Sequence, residues 1–292
     1  MKTPQVLRSL LFVPAIQEKF LESALRRKAD AIQLDLEDAI APSEKEKARH
    51  AAVKAIEVLK GRCPYVVARI NTPLRLAVPD LEAVVVPGVD AITIPKVPNA
   101  EFLQLMDHTI EELEAERGLE VGAIRLIGMI EDAEGLARVN EIAMATPRLV
   151  AIIVGTEDLS ASLGTQPLPE AMVVPHILTL TAARRAGIIP LGYLGSITVY
   201  EDKALYREWV TQAALLGFEG AFCIHPNQVE ICNEVFQPSA QAIDKAQQLI
   251  DAFEKHKAAG VGAFSFEGRM VDAPIIKQAQ AVLTKAAAIQ NR

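Results

Sequence analysis

Residues 149–158 read L-V-A-I-I-V-G-T-E-D, six apolar residues in a row followed by a polar turn that ends in Glu157 and Asp158. A continuous apolar run of this kind is typical of a β-strand that is buried on both faces. Residues 125–131, R-L-I-G-M-I-E, repeat the pattern and end in Glu131. Such strands present their terminal carboxylates at the edge of a sheet. Two neighbouring strands of this type therefore predict a Mg²⁺ site formed by Glu131 and Asp158.

The same pattern recurs along the chain. Apolar or β-branched runs occupy residues 6–13, 31–36, 65–70, 91–94, 124–130, 149–154, 188–191 and 221–224. Segments with helical spacing lie between most of these runs, so strands and helices alternate. Continuous apolar strands joined by helical crossovers indicate a parallel sheet covered on both faces. Eight such units favour an α/β fold, a (β/α)₈ TIM barrel with its chemistry at the carboxyl ends of the strands.

The chain continues beyond the eighth run. We assign residues 1–236 to the barrel and residues 237–292 to a C-terminal helical extension, which we expect to pack on a neighbouring subunit. Helical spacing predicts helices over residues 238–257 and 274–289. A flexible connection between them ends at Asp272, and the sequence leaves open whether this carboxylate reaches a neighbouring subunit. The glycines that indicate the connection are Gly260, Gly262 and Gly268.

Composition excludes several classes of protein. With 292 residues, 50% of them hydrophobic, the chain is long enough for one barrel and its extension. A formal charge of −7 and a pI near 5.4 argue against a general binder of nucleic acids or membrane surfaces. No apolar run is long enough to span a membrane and no secretory leader is evident, so we expect a cytoplasmic protein.

The three cysteines, Cys63, Cys223 and Cys232, lack metal-ligand spacing and fit a reducing compartment. Their first interpretation is that of small buried apolar side chains. The second is a nucleophilic Cys223 assisted by the nearby His225. An odd number of cysteines gives no support to a disulfide framework.

Polar residues follow most of the other runs as well. Because the carboxyl ends of barrel strands meet at one rim, these residues indicate a polar active site there. For Lys96 and His225 the sequence does not separate a role in the site from a structural one. The residues at the strand ends are Asp35, Glu37, Asp38, Arg69, Asn71, Lys96, Glu131, Glu157, Asp158 and His225.

Each candidate also has a structural interpretation. Glu131 precedes a helical segment whose positive end favours acidic residues, and Asp158 is placed where it could cap a helix. Arg69 can form a buried salt bridge with the acidic residues of the segment 35–38. It can also offer its planar donor fork to a carboxylate or a thioester oxygen of a substrate, and the two roles are compatible.

Ten motifs in a fixed order carry a family resemblance. They are R-S-L-L-F-V-P (residues 8–14), L-D-L-E-D-A (34–39), E-K-x-x-A-R (44–49), A-R-I-N (68–71), P-K-V (95–97), I-E-x-A-x-G (130–135), G-x-E-D-L (155–159), L-G-F-x-G (216–220), I-H-P-x-Q (224–228) and G-x-M-V-D (268–272). Through them the chain resembles the HpcH/HpaI aldolase and citrate lyase family over nearly its whole length. The most similar branch contains the citrate lyase beta-subunit and the malyl-CoA and citramalyl-CoA lyases.

The resemblance implies a lyase that depends on Mg²⁺, with Mn²⁺ as an alternative ion. It would cleave a 3-hydroxyacyl-CoA thioester, malyl-CoA or citramalyl-CoA, to acetyl-CoA and a 2-oxo acid, glyoxylate or pyruvate. By resemblance, Glu131 and Asp158 are the metal ligands, and Glu131 also contacts substrate. Arg69 binds substrate during catalysis, and Asp272 is an acid-base carboxylate lent by an adjacent subunit of a trimer or hexamer.

The chain departs from its relatives in two places. After Phe12, which we expect to contact substrate, many relatives carry a glycine and basic residues for the CoA phosphates. Here Lys19 is the expected basic contact, with Lys45 or Arg49 as the other candidates. The seventh run continues as G-Y-L-G-S-I-T-V-Y (192–200) in place of an aspartate-bearing loop, and this loop is expected to shape the acyl pocket.

Two other functions compete with a free-standing CoA lyase. One is a citrate lyase beta-subunit that acts on a citryl thioester of an acyl carrier protein. The other is a barrel that binds a ligand or partner without turnover. The presence of Arg69, Glu131, Asp158 and Asp272 argues against the second alternative, because a scaffold has no need of a complete set of chemical groups.

Overall fold

The computed structural model describes residues 6–258 and 264–290. The chain folds into two compact units, Met1–Phe236 and Gln237–Arg292. The first unit is built on eight parallel strands. These are β1 (Ser9–Pro14), β2 (Ala31–Asp35), β3 (Val66–Arg69), β4 (Ala91–Ile94), β5 (Arg125–Ile130), β6 (Leu149–Val154), β7 (Ile189–Leu191) and β8 (Ala221–Cys223).

The strands form a nearly closed barrel. Their order is β7-β6-β5-β4-β3-β2-β1-β8, so each strand pairs with its neighbours in sequence and β8 pairs with β1. Between β7 and β8 a single bridge joins Leu191 to Gly220. There the Gly192 N–H donates to the Gly220 carbonyl at 2.8 Å, and the Glu219 N–H donates to the Pro190 carbonyl at 3.0 Å. The predicted (β/α)₈ barrel is confirmed.

Helices surround the barrel and provide most of the connections between its strands. They are α1 (Glu18–Arg26), α2 (Lys45–Leu59), α3 (Leu74–Val84), α4 (Ala100–Glu116), α5 (Ala133–Ala137), α6 (Val139–Ile142), α7 (Thr156–Ser162), α8 (Pro169–Ala186), α9 (Lys203–Leu216) and α10 (Pro226–Val235). A short 3₁₀ helix, Pro42–Glu44, precedes α2. None of the helices in the described part of the chain is both long enough and apolar enough to cross a membrane.

Strand alternation decides which side chains reach the active-site end of the barrel. On β2, Ile32 and Leu34 join the apolar core that also contains Ala52 and Ile56 of α2. The alternate residues of β2 therefore face the barrel axis, and the last of them is Asp35. Burial of side chains such as Leu34 stabilises the fold by roughly 1.5–3 kcal/mol each. The same packing directs the Asp35 side chain toward the barrel axis.

The second unit contains α11 (Ala240–Ala258), a hairpin of β9 (Phe264–Phe266) and β10 (Arg269–Val271), and α12 (Ala273–Gln290). Its small apolar core includes Phe264, Val271 and Ile276. The two helices agree with the sequence prediction within two residues at their described ends, but the hairpin was not predicted. Gly268 forms its turn with a φ of 75°, a conformation that glycine adopts without strain. Gly260 and Gly262 lie outside the described residues.

Candidate active site

A cavity of about 450 Å³ opens among the residues at the carboxyl ends of the barrel strands. The charged residues that line it are Asp35, Asp38, Arg69, Glu131, Glu157 and Asp158. Of the six predicted site residues, four line this cavity: Phe12, Arg69, Glu131 and Asp158. Lys19 is not among the described lining residues and is exposed on α1. Asp272 belongs to the second unit and directly precedes α12.

Glu131 follows β5 and is almost completely buried, with 4% of its surface exposed. The Lys96 backbone N–H donates to its Oε2 at 2.7 Å. Gly155 makes this position available, because a Cβ at residue 155 would lie 2.5 Å from the Glu131 side chain. Burial, together with the negative charges of Glu37 and Asp158, raises the pKa of Glu131 to about 8.

The helix-dipole interpretation of Glu131 does not hold. The residue that caps α5 is Asp132, whose Oδ1 accepts the Gly135 N–H at 2.7 Å. Glu131 instead points into a buried position beside Gly155 and lines the cavity. A carboxylate held there at an energetic cost is typical of a functional group.

Asp158 lies in the first turn of α7 and faces the same cavity. It is not a helix cap, since Gly155 occupies the cap position and no side chain caps the helix. About half of the Asp158 side chain is exposed, and the Lys96 Nζ lies 3.8 Å from its Oδ2. Both carboxylates line the cavity, and the charge of Asp158 contributes to the raised pKa of Glu131.

This pair fits a hard divalent cation. Within residues 6–258 and 264–290 no group of three or more His, Cys, Asp or Glu side chains is arranged to hold a metal ion. Glu131 and Asp158, which both line the cavity, could supply two carboxylate ligands, and water and substrate would fill the other positions. That division of ligands is the one that Mg²⁺ prefers in proteins.

Arg69 ends β3 and is the only basic residue among the described residues that line the cavity. Its Nε and Nη2 donate to the two carboxylate oxygens of Asp35, each at 2.8 Å. Its Nη1 lies 2.9 Å from Glu37 Oε2, and the guanidinium lies 4.5 Å from the centroid of the Phe12 ring. The predicted buried salt bridge is thus present, while a role of Arg69 toward substrate stays a prediction.

Lys96 connects the two groups of charges. It follows β4 with a φ of 49°, a left-handed conformation that is strained for a residue with a side chain. Its Nζ donates to Glu37 Oε1 at 2.6 Å and lies 3.7 Å from Asp38 Oδ1. Burial opposes the charged form of Lys96, but the hydrogen bond to Glu37 and the surrounding carboxylates raise its pKa. The sequence left open whether Lys96 has a role in the site or a structural one. Its contacts with Glu37, Asp38 and Asp158 support a role in the site.

Lys45 and Arg49, considered for the CoA phosphates, are bound by the protein itself. The Lys45 Nζ donates to the carbonyl oxygens of Leu36 and Glu37 at 2.8 and 2.7 Å. The Arg49 Nε donates to Oδ1 of the fully buried Asp80 at 2.7 Å. Both side chains hold the β2–α2 region in place. These internal contacts favour a structural role, and a part in phosphate binding stays a prediction for both residues.

His225 and Cys223 have structural roles. His225 caps α10, where its Nδ1 accepts the Asn227 N–H at 3.2 Å, and its ring stacks on Tyr200 at 4.9 Å. Cys223 is completely buried with its Sγ 3.8 Å from that of Cys232. Burial raises the pKa of the Cys223 thiol, which disfavours the nucleophilic thiolate. The apolar interpretation of this cysteine is confirmed.

The segment between β7 and α9 brings further residues to the cavity. Tyr193 and Ile197 line it, together with Glu157 from the first turn of α7. The Ser196 Oγ donates to Glu157 Oε1 at 2.5 Å. Tyr193 follows the end of β7 and belongs to the outer apolar core, where its ring packs against Tyr206 of α9. The sequence analysis expected the segment 192–200 to shape the acyl pocket, but it did not show that Ile197 is one of the residues that reach the cavity, because that position depends on tertiary hydrogen bonds.

Comparisons with known proteins agree with this geometry. Residues 8–226 match the family HpcH/HpaI aldolase/citrate lyase. The chain is 36% identical to citrate lyase subunit beta of Haemophilus influenzae, covering 96% of both chains. It is 34% identical to the L-malyl-CoA/beta-methylmalyl-CoA lyase of Cereibacter sphaeroides, covering 96% of this chain and 94% of the relative.

A solved structure extends the comparison to the fold. It is that of CitE from Mycobacterium tuberculosis in complex with magnesium, acetoacetate and coenzyme A. The similarity has a TM-score of 0.75 at 28% identity and covers 96% of this chain and 97% of that one. With a family match over three quarters of the sequence and these relatives, the chain belongs to the HpcH/HpaI aldolase/citrate lyase family and is a carbon–carbon lyase.

Proposed function

We propose that the protein is a Mg²⁺-dependent lyase for a 3-hydroxyacyl-CoA thioester of the malyl-CoA or citramalyl-CoA type. The products would be acetyl-CoA and a 2-oxo acid with one carboxylate, glyoxylate or pyruvate. The observation that carries the choice is the distribution of charge around the cavity. Arg69 is the one basic side chain among its described lining residues, and it is already paired with Asp35.

A citryl thioester would release oxaloacetate, which has a second carboxylate. That carboxylate would need a second cationic partner or an exposed position, because burying an unpaired charge is costly. The remaining wall of the cavity is mainly apolar, with lining residues that include Ile153, Ile197 and Phe222. An apolar wall suits the hydrogen atom of glyoxylate or the methyl group of pyruvate.

The Glu131 and Asp158 carboxylates would hold the metal. Bound there, Mg²⁺ would stabilise negative charge on the oxygen atoms of the 2-oxo acid portion. Both the similarity to the M. tuberculosis protein, whose structure contains magnesium, and the fit of the two carboxylates support this assignment. The backbone N–H of Lys96 keeps Glu131 oriented before the ion arrives.

Cleavage requires one proton to leave and one to arrive. A base removes the proton of the 3-hydroxyl group, the bond between C2 and C3 breaks, and its electron pair moves into the thioester as an enolate. The enolate then takes a proton at C2 and becomes the acetyl thioester. The Arg69 guanidinium, a fixed cation on the cavity wall, is suited to stabilise the enolate oxygen.

We further propose that Asp272 is the acid-base group and that it acts in a neighbouring copy of the chain, within a trimer or hexamer. The resemblance of G-x-M-V-D at residues 268–272 to the family motif supports this role. Mixing two inactive variants, Asp272→Ala and Glu131→Ala, should restore part of the activity, because some mixed sites would contain both intact residues. Absence of recovery after verified subunit exchange would contradict the role across subunits.

A cleavage assay tests the proposed function. Purified protein with Mg²⁺ would be given malyl-CoA, citramalyl-CoA and citryl-CoA, and the 2-oxo acid product would be identified in each case. We expect cleavage of malyl-CoA, citramalyl-CoA or both, with citryl-CoA at least about tenfold poorer in kcat/KM. Turnover of a citryl thioester alone, on CoA or on a carrier protein, would favour the citrate lyase beta-subunit instead.

A further inference from the structure

The segment between β7 and α9 is held in place from two sides. On one side the Ser196 Oγ donates to Glu157 Oε1 at 2.5 Å and lies 2.6 Å from the Thr198 hydroxyl. On the other side the Gln228 Nε2 donates to the Ile197 carbonyl at 2.8 Å. The Asn227 Nδ2 also donates to the Tyr200 carbonyl at 3.3 Å. These hydrogen bonds together determine where Ile197 lies.

Gly195 gives the segment its close approach to the helix behind it. Its φ is 151°, and a Cβ at this position would lie 2.3 Å from the Trp209 ring. Trp209 belongs to α9 and is 7% exposed, so it has little room to move. A residue other than glycine would push the segment away from α9. The backbone on both sides of Ser196 and Ile197 is consequently fixed by tertiary contacts.

Ile197 differs from the other apolar residues of the cavity wall. Ile153 and Phe222 belong to strands and are 2% exposed, so they are part of the barrel interior. Ile197 is only partly buried and lies on a connecting segment, where its side chain packs against both the inner and the outer apolar core. Its size can change without opening a hole inside the barrel.

From these contacts we propose that Ile197 is the specificity-determining residue for the group on the ketone carbon of the 2-oxo acid. The proposal rests on the proposed function. The charged residues of the cavity come from the ends of β2, β3, β5 and β6, and they would take the carboxylate and ketone oxygens. The remaining substituent, hydrogen or methyl, then faces the apolar wall. Ile197 limits its size, and Ser196 and Gln228 are positioning residues for that wall.

The experiment compares 2-oxo acids that differ by one methylene group: glyoxylate, pyruvate, 2-oxobutyrate and 2-oxovalerate. Two quantities are measured for each, the Kd in the presence of Mg²⁺ and the kcat/KM for condensation with acetyl-CoA. In Ile197→Ala the preference for 2-oxobutyrate over pyruvate should rise by roughly 10- to 100-fold relative to the wild type. In Ile197→Phe the preference for glyoxylate over pyruvate should rise, because the wall moves inward.

Val199→Ala is the matched control. Val199 lies two residues further along the same segment, and its carbonyl is also near Gln228 Nε2, at 3.4 Å. It packs against the outer core and is not among the described residues that line the cavity. Truncation of the Val199 side chain should loosen the segment to a similar degree as Ile197→Ala. It should leave the preferences among the four 2-oxo acids unchanged. Unchanged preferences in both Ile197 variants, or an equal shift in Val199→Ala, would overturn the proposal.

The outcome also separates this proposal from the proposed function. If the wild-type protein binds and condenses none of the four acids, the proposed function fails, and the role of Ile197 fails with it. If the wild type is active and the Ile197 variants keep its preferences, only the role of Ile197 fails. Thermal unfolding of each variant, recorded alongside, identifies any loss that comes from the fold.

Discussion

Two halves of the barrel rim are built in different ways. The half formed by the ends of β2 to β6 contains the charged groups, and they are held by one another: Arg69 by Asp35, and Lys96 by Glu37. The half formed by β7, β8 and β1 is mainly apolar. Its segment after β7 is held by hydrogen bonds to backbone carbonyls and by Ser196. The first half is suited to bind the charged groups of a substrate. The second half is suited to select the substrate by the size of its apolar substituent.

The difference has an energetic consequence. In the charged half, removing one member of a buried pair leaves its partner unpaired, which costs about 3–5 kcal/mol. Function and stability are therefore coupled there. In the apolar half, a partly buried residue such as Ile197 can change with a smaller effect on the barrel. A substitution in the apolar half can accordingly change selectivity and leave the charged half intact.

The largest effect should come from the metal ligands. Asp158→Asn removes one of two carboxylates, so we expect Mg²⁺ affinity to fall by at least about 100-fold and turnover to be lost with it. The fold should persist, because 46% of the Asp158 side chain is exposed. Calorimetric titration with Mg²⁺ and thermal unfolding measure the two effects. Glu134→Gln, which changes an exposed acidic residue three positions after Glu131, serves as the control.

Wild-type turnover in the presence of a strong chelator would contradict the metal assignment. So would an Asp158→Asn protein that binds Mg²⁺ as tightly as the wild type. In either case Glu131 and Asp158 would not be metal ligands, and their role would be limited to the negative charge that they place in the cavity. Loss of binding in the Glu134→Gln control would show that overall charge, and not ligation, governs the affinity.

Arg69→Lys tests whether the charged half needs geometry as well as charge. Lysine keeps the positive charge but cannot make the bidentate contact with Asp35, so we expect turnover to fall about 100-fold. Stability should fall as well, by about 1–3 kcal/mol, because Arg69 is 8% exposed and paired. Steady-state kinetics and urea unfolding separate the two effects.

The matched control is Arg62→Lys. Arg62 also forms a two-bond pair, with Glu22, but both side chains are about half exposed. Surface pairs contribute about 0–1 kcal/mol, so neither kinetics nor stability should change by much. If Arg69→Lys is less stable than the wild type but has the same kinetics, Arg69 has a structural role and does not act on the substrate.

Glu131 should make the stability of the metal-free protein depend on pH. Burial raises its pKa from 4.5 to about 8, so the folded protein holds a proton that the unfolded chain has already lost. The resulting cost is absent below pH 4.5, grows as the pH rises, and is complete above pH 8. Glu131→Gln lacks this cost, so in chelator the variant should be more stable than the wild type at high pH, by at most about 5 kcal/mol.

Urea unfolding at several pH values, with metal removed, measures this difference. The stability gap between Glu131→Gln and the wild type should widen as the pH increases from 5 to 9, the range that brackets the two pKa values. A gap that is constant or narrows over this range would mean that burial does not disfavour the Glu131 carboxylate. Added Mg²⁺ should reverse the order of stability, because only the wild type binds it.

The sequence was informative where a pattern is local. The eight strands, Glu131 and Asp158 could be predicted because apolar runs and the residues that end them are adjacent in the chain. The salt bridge of Arg69 with the acidic residues at the end of β2 could be anticipated, since parallel strands β2 and β3 pair in register at Asp35 and Arg69.

What could not be predicted depends on long-range partners. Lys45 and Arg49 have the same sequence character as exposed basic residues, and only the fold provides the carbonyls and the buried Asp80 that bind them. Lys96 was ambiguous because its left-handed backbone, which directs its N–H toward Glu131, has no signature in the residue type. The position of Ile197 likewise requires hydrogen bonds from residues about 30 positions away.

The smallest effect concerns Lys19, which lies outside both halves of the rim on the exposed face of α1. Lys45 and Arg49 have hydrogen-bond partners within the chain, whereas Lys19 has neither a hydrogen bond nor an ion pair among the described residues, and its Nζ lies 5.1 Å from the centroid of the Phe20 ring. An exposed charge pair contributes at most about 1 kcal/mol, so Lys19→Ala should raise the KM for the CoA thioester about two- to fivefold without changing kcat. The increase should disappear in high salt, which screens such contacts. It should also be absent for a short thioester without the nucleotide phosphates, and Lys54→Ala on the exposed face of α2 should have no effect on either substrate. If the short thioester responds as strongly as the CoA thioester, Lys19 acts on the cavity and not on the phosphates.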